Sequence, residues 1–256
     1  MNKYIQSYID ESVGIIQLNR PKVLNALNRK MVEEIVGQLE MFDRDPSVRV
    51  IVLRGSEQAF AAGADIDEMI EETPLTLELA NPFAEWDKIS LIKKPILAAV
   101  NGFALGGGFE LALHCDLIIA ADDARFGFPE VKLGVMPGAG GTQFLTKALG
   151  TKKALEWIWL GEQMSASVAF ENGIINRIVA RELVVEETMR LAHQLAKQPP
   201  ISIRMIKEAV YTALDESLKE GKTLERKNFY LTFASEDQKE GMQAFSEKRP
   251  PSFKGV

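Results

Sequence analysis

Apolar residues recur along this chain in two rhythms. Val13–Leu18 (V-G-I-I-Q-L) and residues 48–53 (V-R-V-I-V-L) are short β-branched runs, while Ile96–Val100 and Leu117–Ala121 are apolar throughout. Such runs predict strands buried in a sheet. Between the first two, Met31, Ile35, Leu39 and Phe42 return every three or four residues. That is the spacing of an amphipathic helix, and Asn28 is placed to cap it. Pro21 stops the first strand, D-P-S at residues 45–47 closes the helix, and Pro95 ends the helical stretch before the third strand. Strand-like runs alternating with helices imply a parallel or mixed α/β sheet with helical crossovers. Past Gly141 the strand rhythm fades. The pattern there predicts helices over residues 152–160, 165–171, 182–196, 201–214 and 218–233, punctuated by Pro199-Pro200.

Composition narrows the class. At 256 residues, 46% hydrophobic and 26% charged, the chain suits one large globular domain or a domain with a small appendage. A net charge of -6 argues against nucleic acid as the main partner. The single cysteine, Cys115, excludes an internal disulfide and points to a reducing compartment. Its setting, L-A-L-H-C-D-L-I-I, reads as a buried structural thiol. The opening M-N-K-Y-I-Q lacks a secretory core, and no apolar stretch approaches the roughly 18 residues that span a bilayer. The expectation is a cytoplasmic protein off the membrane.

Candidate chemistry sits in two glycine-rich elbows that each deliver one carboxylate. The first, A-A-V-N-G-F-A-L-G-G-G-F-E-L-A (residues 98–112), carries Glu110 just past Gly106, Gly107 and Gly108. The triplet fits two readings: bare backbone that lets a ligand approach unpaired N–H groups at a helix start, or tight helix–sheet packing with Glu110 complementing the helix dipole. The second, F-G-F-P-E-V-K-L-G (residues 126–134), presents Glu130 among Phe126, Phe128, Val131 and Leu133. Either it is a loop acid in solvent, or apolar surroundings hold a proton on it near neutrality. Upstream, F-A-A-G-A-D-I (residues 60–66) forms a third small-residue turn, and G-V-M-P-G-A-G-G-T-Q (residues 134–143) a pliable loop before a helix. Nucleotide-loop glycine motifs are missing. The two histidines, His114 and His193, form no ligand-spaced pair, and no G-x-S-x-G elbow exists. No metal site is expected, His114 reads as a satisfied, partly buried side chain, and acid–base work falls to carboxylates.

In order and spacing, F-A-A-G-A-D-I, K-K-P-I-L-A-A-V-N-G-F-A-L-G-G-G-F-E-L, F-G-F-P-E-V-K-L-G and P-G-A-G-G-T-Q resemble the crotonase (enoyl-CoA hydratase/isomerase) superfamily. The resemblance runs from N-R-P-K-V-L-N-A-L to E-K-R-P-P-S-F. It implies a spiral of ββα repeats: residues 1–195 as the core with the active site, and residues 196–256 as a helical region packing on the core and on neighbouring subunits. The assembly it implies is a trimer or a dimer of trimers. It implies an acyl-CoA substrate, with coenzyme A as part of that substrate and no other cofactor. By resemblance, the N–H groups of Ala64 and Gly107 hold the thioester oxygen. Members with hydratase activity carry glutamates at the positions of Glu110 and Glu130, whereas double-bond isomerases commonly keep only the second. Both are present here.

The implied activity is therefore enoyl-CoA hydration in fatty acid or related acyl-CoA breakdown. An enoyl-CoA isomerase and a hydratase for branched or dicarboxylic acyl groups are the alternatives, with an RNA-binding or non-catalytic member of the fold behind them. Lys22, Ala62, Asp65, Ile66, Met69, Trp86, Leu133, Gly138 and Lys248 are the expected substrate contacts. Met69, Trp86 and Leu133 are assigned to the acyl chain. One departure stands out: residues 55–87 carry many acids but no lysine or arginine, and Asp67 stands where the family often has lysine. Phosphate contacts are expected instead from Lys22 and from Lys248, Arg249 and Lys254, with a neighbouring subunit as one possible recipient of that tail.

Overall fold

The apolar runs form the strands they predict. In the computed structural model, which describes residues 3–256, β1 (Ile5–Asp10) and β2 (Val13–Leu18) pair antiparallel. A second sheet begins with β4 (Ala59–Ala61), while β3 (Val50–Arg54), β5 (Ile96–Val100), β7 (Leu117–Ala121) and β10 (Arg177–Val179) extend the first in parallel, in the order β1-β2-β3-β5-β7-β10. The second sheet places β6 (Phe103–Leu105) and β8 (Arg125–Gly127) parallel beside β4, with β9 (Gln163–Ser165) antiparallel at its edge. Successive passes of the chain leave one strand in each sheet: β3 then β4, β5 then β6, β7 then β8. This is the ββα spiral that the resemblance implies.

Alternation along each strand explains why the main sheet is apolar on both faces. Ile16, Leu18, Ile51, Leu53, Ala98 and Val100 point into the main core against α1 (Arg29–Arg44). Their neighbours Val13, Ile15, Val50, Val52, Leu97 and Ile119 face α8 (Val184–Ala196) on the other side. A sheet covered on both faces demands nearly continuous apolar sequence, and each fully buried aliphatic side chain contributes about 1.5–3 kcal/mol. The first helix is capped as expected: the Asn28 side chain accepts the Met31 N–H at 2.9 Å, and Met31, Ile35, Leu39 and Phe42 are buried.

The remaining helices are α2 (Pro74–Ala80), α3 (Ala84–Asp87), α4 (Gly107–Leu113), α5 (Gly141–Leu149), α6 (Thr151–Leu160), α7 (Ala166–Glu171), α9 (Pro200–Thr212), α10 (Leu218–Thr232) and α11 (Glu236–Glu247). The sequence pattern missed two strands past Gly141. β9 and β10 have three residues each, too few to display an alternation. The helix expected from Glu182 begins at Val184, after a 3-10 turn over Arg181–Leu183. Asp116 fastens α9 to the main sheet: one carboxylate oxygen accepts Lys207 Nζ at 2.8 Å and the Ile96 N–H at 2.7 Å, and the other accepts the Tyr211 hydroxyl at 2.9 Å. Among the described residues, no helix is long and apolar enough to cross a membrane.

Candidate active site

The glycine triplet does three different jobs. Gly106 caps α4 at φ 51°, ψ -128°, a conformation open to glycine, and a methyl there would stand 2.9 Å from Glu130 Oε1. Gly108 presses the helix onto β4, where a methyl would lie 2.0 Å from the Ala61 carbonyl oxygen. Gly107 is the first helical residue, and a methyl on it would sit 3.6 Å from the Ala64 nitrogen. The packing reading of the triplet holds at Gly108, and Gly107 sets its backbone beside that of Ala64. Among the described residues, no protein acceptor takes the N–H of Gly107 or of Ala64. Two unpaired donors thus meet at one place, the arrangement that can stabilise a developing oxyanion.

The Ala64 segment is held by the loop before α1. Ala62 N–H donates to the Leu24 carbonyl, Leu27 N–H to that of Gly63, and Asp65 N–H to that of Leu27, at 2.8–3.0 Å. Buried Asn25, at φ 58°, makes this possible: its amide donates to the carbonyls of Ala59 and Phe60 at 3.1 Å and its oxygen accepts the Arg20 N–H. The Arg20 guanidinium pairs with Asp65 at 2.8 Å. Sequence reasoning missed Asn25 and Arg20. The one available signal was a polar residue inside an otherwise apolar stretch, V-L-N-A-L. Asp65, expected at the substrate, has its carboxylate committed to Arg20.

The two carboxylates occupy unlike settings. Glu110, only 3% exposed, has one oxygen, Oε1, that accepts the N–H groups of Ala139 and Gly141, each at 2.8 Å. Burial raises its proton affinity, and those two donors oppose the rise. Glu130 follows Pro129 in the 3-10 turn Pro129–Leu133. Its Oε2 is buried without a partner. Burial first, and then the nearby Glu110 charge, push its pKa up to about 7 against the pull of its own backbone N–H. Burial thus raises both carboxyls, Glu130 up to about 7, and the two donors of the 139–141 segment temper the rise at Glu110. The phenyl rings of Phe109 and Phe128, 4.9 Å apart, form the apolar wall behind them.

The other expected contacts divide. Ile66 and Met69 (38% exposed) stand on and just after the 3-10 turn Ile66–Glu68, and Leu133 (56% exposed) ends the turn that carries Glu130. They are apolar groups free to meet a ligand. Gly138 is exposed and faces the Phe83 ring, 2.5 Å from where its methyl would be. Trp86 is 8% exposed and packs in the core beside the His114 ring, 6.0 Å away. Lys22 is exposed in the Pro21–Val23 turn, and Lys248 ends α11 in a left-handed conformation. Arg249 is not a free cation, since it is paired with Glu240 and Glu247. Lys254 follows Phe253, whose carbonyl accepts the Arg49 guanidinium at 2.8 Å. Among the described residues, no hydrogen bond or ion pair joins this tail to Glu110 or Glu130. Cys115 is buried as expected, its thiol pushed well above the usual range by burial.

The sequence profile of the enoyl-CoA hydratase/isomerase family matches residues 8–256. The chain belongs to that family. It is 47% identical over 244 residues to a probable enoyl-CoA hydratase of Mycobacterium tuberculosis, covering 95% of each chain. It is 46% identical to the mitochondrial enoyl-CoA hydratase of Pongo abelii, covering 96% of this chain and 84% of that one. Among solved structures, "Enoyl-CoA Hydrates Subunit I" from Geobacillus kaustophilus HTA426 superimposes with a TM-score of 0.98 at 62% identity, covering 99% of each chain. The family's crotonase fold is thus the fold described above.

Proposed function

We propose that this member of the family is an enoyl-CoA hydratase, adding water across the trans-2 double bond of an enoyl-CoA to give a 3-hydroxyacyl-CoA. The observation that carries this reading is a pair of unlike glutamates set beside two unpaired N–H groups. The relatives' names support it. The Ala64 and Gly107 N–H groups donate to the thioester oxygen and stabilise the negative charge that grows there as the bond is attacked. A water lies between the carboxylates. Its oxygen bonds to Cβ while Glu110 takes one of its protons, and the electron pair of the double bond becomes the enolate. Glu130 then delivers its proton to Cα and is left as a carboxylate. The thioester is the electron sink, so the reaction as written calls for no metal or redox cofactor.

The same reading assigns Ile66, Met69 and Leu133 to the acyl chain and Lys22 to the anionic end of coenzyme A. Lys248 joins that end only from a neighbouring subunit, in a trimer or a dimer of trimers. The exposed apolar side chains of α9, α10 and α11, among them Ile206, Val210, Phe229 and Phe245, are the surface such an assembly would cover. The test is a panel of trans-2-enoyl-CoA thioesters with chelator present, followed by loss of the conjugated-thioester absorbance. Short-chain substrates are expected to turn over. Silence across the panel, or double-bond migration without hydration, overturns the reading. Light scattering of the active preparation should give three or six chain masses, and an active monomer would remove the subunit-crossing role of Lys248.

A further inference from the structure

Glu110 and His114 lie one turn apart and project from the same side of α4. Both reach the same residue. Glu110 Oε1 accepts the Ala139 N–H at 2.8 Å, and His114 Nε2 lies 3.0 Å from the Ala139 carbonyl oxygen. The segment before α5 is therefore fastened at both polar groups of one residue, and its next donor, Gly141 N–H, also goes to Glu110. The imidazole is held in place by aromatic neighbours: the Phe144 ring meets it edge-on at 4.8 Å, and Trp86 lies on its other flank. A carbonyl oxygen can only accept, so the ring proton belongs on Nε2. Burial lowers the proton affinity of this histidine, which favours the neutral ring.

We propose that His114 is a positioning residue for Glu110: it donates Nε2–H to the Ala139 carbonyl and so fixes the loop whose N–H groups hold the carboxylate. The proposal rests on the hydratase reading for its kinetic consequences, though not for its structural ones. Without the His114 bond the loop is free to withdraw, and the Ala139 and Gly141 donors leave Oε1. A buried carboxylate that loses two donors binds its proton more tightly. Glu110 then works as a base only at higher pH. The other ionisable groups facing this cluster are Asp87 of α3, beside His114, and Glu130, beside Glu110. Neither donates to the 139–141 segment.

Two substitutions separate position from packing. His114→Phe keeps an aromatic ring between Trp86 and Phe144 but loses the donor, whereas His114→Gln restores an N–H at similar reach. His114→Phe should lower kcat by about 10-fold, the usual scale for loss of a group that orients a reacting one. KM should change little, and the acid limb of the kcat–pH profile should move to higher pH. His114→Gln should recover most of both. An unmoved acid limb in His114→Phe, or a His114→Gln variant no better than it, overturns the proposal. A second measurement needs no turnover and no destabilised variant. In a His193→Gln background His114 is the single histidine, and nitrogen NMR of the labelled protein reads its ring directly. At about pH 8, above the range in which an ordinary histidine titrates, the ring is expected to be neutral with its proton on Nε2. An Nδ1–H tautomer there refutes the assignment. Failure of the wild type on the enoyl-CoA panel instead rejects the hydratase reading and leaves the ring measurement standing.

Discussion

Glu110 and Glu130 are the same residue twenty positions apart, and their surroundings make them different reagents. The elbow after β6 points Glu110 at the loop leading into α5, where the Ala139 and Gly141 N–H groups both donate to one of its oxygens. The turn after β8 gives Glu130 apolar walls and an orphan oxygen. Donors favour the charged form, and burial without donors favours the proton. The difference teaches that local backbone, rather than residue type, distinguishes the two carboxyls on which the proposed acid and base roles rest. Carboxylates with no histidine between them can then divide the work near neutral pH.

The comparison is broken most forcefully by removing either proton carrier. Glu110→Gln and Glu130→Gln should each cost about 10²- to 10⁴-fold in turnover, the range for general acid–base groups, with the fold intact by circular dichroism. Exchange at Cα of a saturated acyl-CoA in heavy water distinguishes them. Glu130→Gln should abolish that exchange, and Glu110→Gln should spare more of it. Equal exchange in the wild type and Glu130→Gln would reverse the roles given above.

Titration sharpens the comparison on a smaller scale. Glu130 must carry its proton to act, so kcat/KM should fall as pH rises through about 7. The same shift has a cost in stability. A carboxyl whose folded pKa lies above its unfolded value of 4.5 destabilises the fold as pH rises from that value through about 7. Glu130→Gln should therefore melt a few degrees above the wild type near pH 8, with the gap closing toward 4.5. A gap that stays constant with pH would mean that Glu130 does not hold its proton in the folded protein. The smallest effect belongs to the tail. Lys248→Ala should raise KM about threefold, the scale of one screened surface charge, and leave kcat alone. An unchanged KM across salt concentrations would assign Lys248 to the surface.

What could be read from the sequence follows the length of each signal. The inner strands β2, β3, β5 and β7 and the helix α1 show themselves because their apolar, mostly buried positions leave a rhythm, whereas β1 has one buried position and β10 three half-buried ones. The second sheet hides because β4, β6, β8 and β9 have three residues each, several of them alanine or glycine. Within the site, the carboxylates stand in glycine-rich elbows that mark themselves, and the family resemblance singled out Ala64 and Gly107. The supports do not show. Arg20 meets Asp65, and Asn25 meets Ala59 and Phe60, across a separation that no local pattern encodes. Trp86 misled in the opposite way. Its size and position suit an acyl pocket, and the fold spends it on packing against His114. His114 read correctly as a satisfied side chain, but its partner lies 25 residues on, out of reach of any spacing argument.

The parallel run β4-β6-β8 bears on how such a protein can diversify. Ala64, Gly107 and Glu130 each follow the end of one of these three adjacent strands by two or three residues. Neighbouring parallel strands lie about 4.8 Å apart, so the reacting groups are registered by sheet pairing. The segments that return the chain from one strand to the next lie outside that register. The stretch between Asp65 and Pro95 makes none of the strand pairings that set Ala64 beside Gly107, while Trp86, Ile89 and Ile92 within it belong to the core. On the hydratase reading proposed above, substrate preference and bond chemistry are thereby placed under separate genetic control. A lineage could then explore new acyl groups through the loops while the strand ends keep the reaction unchanged.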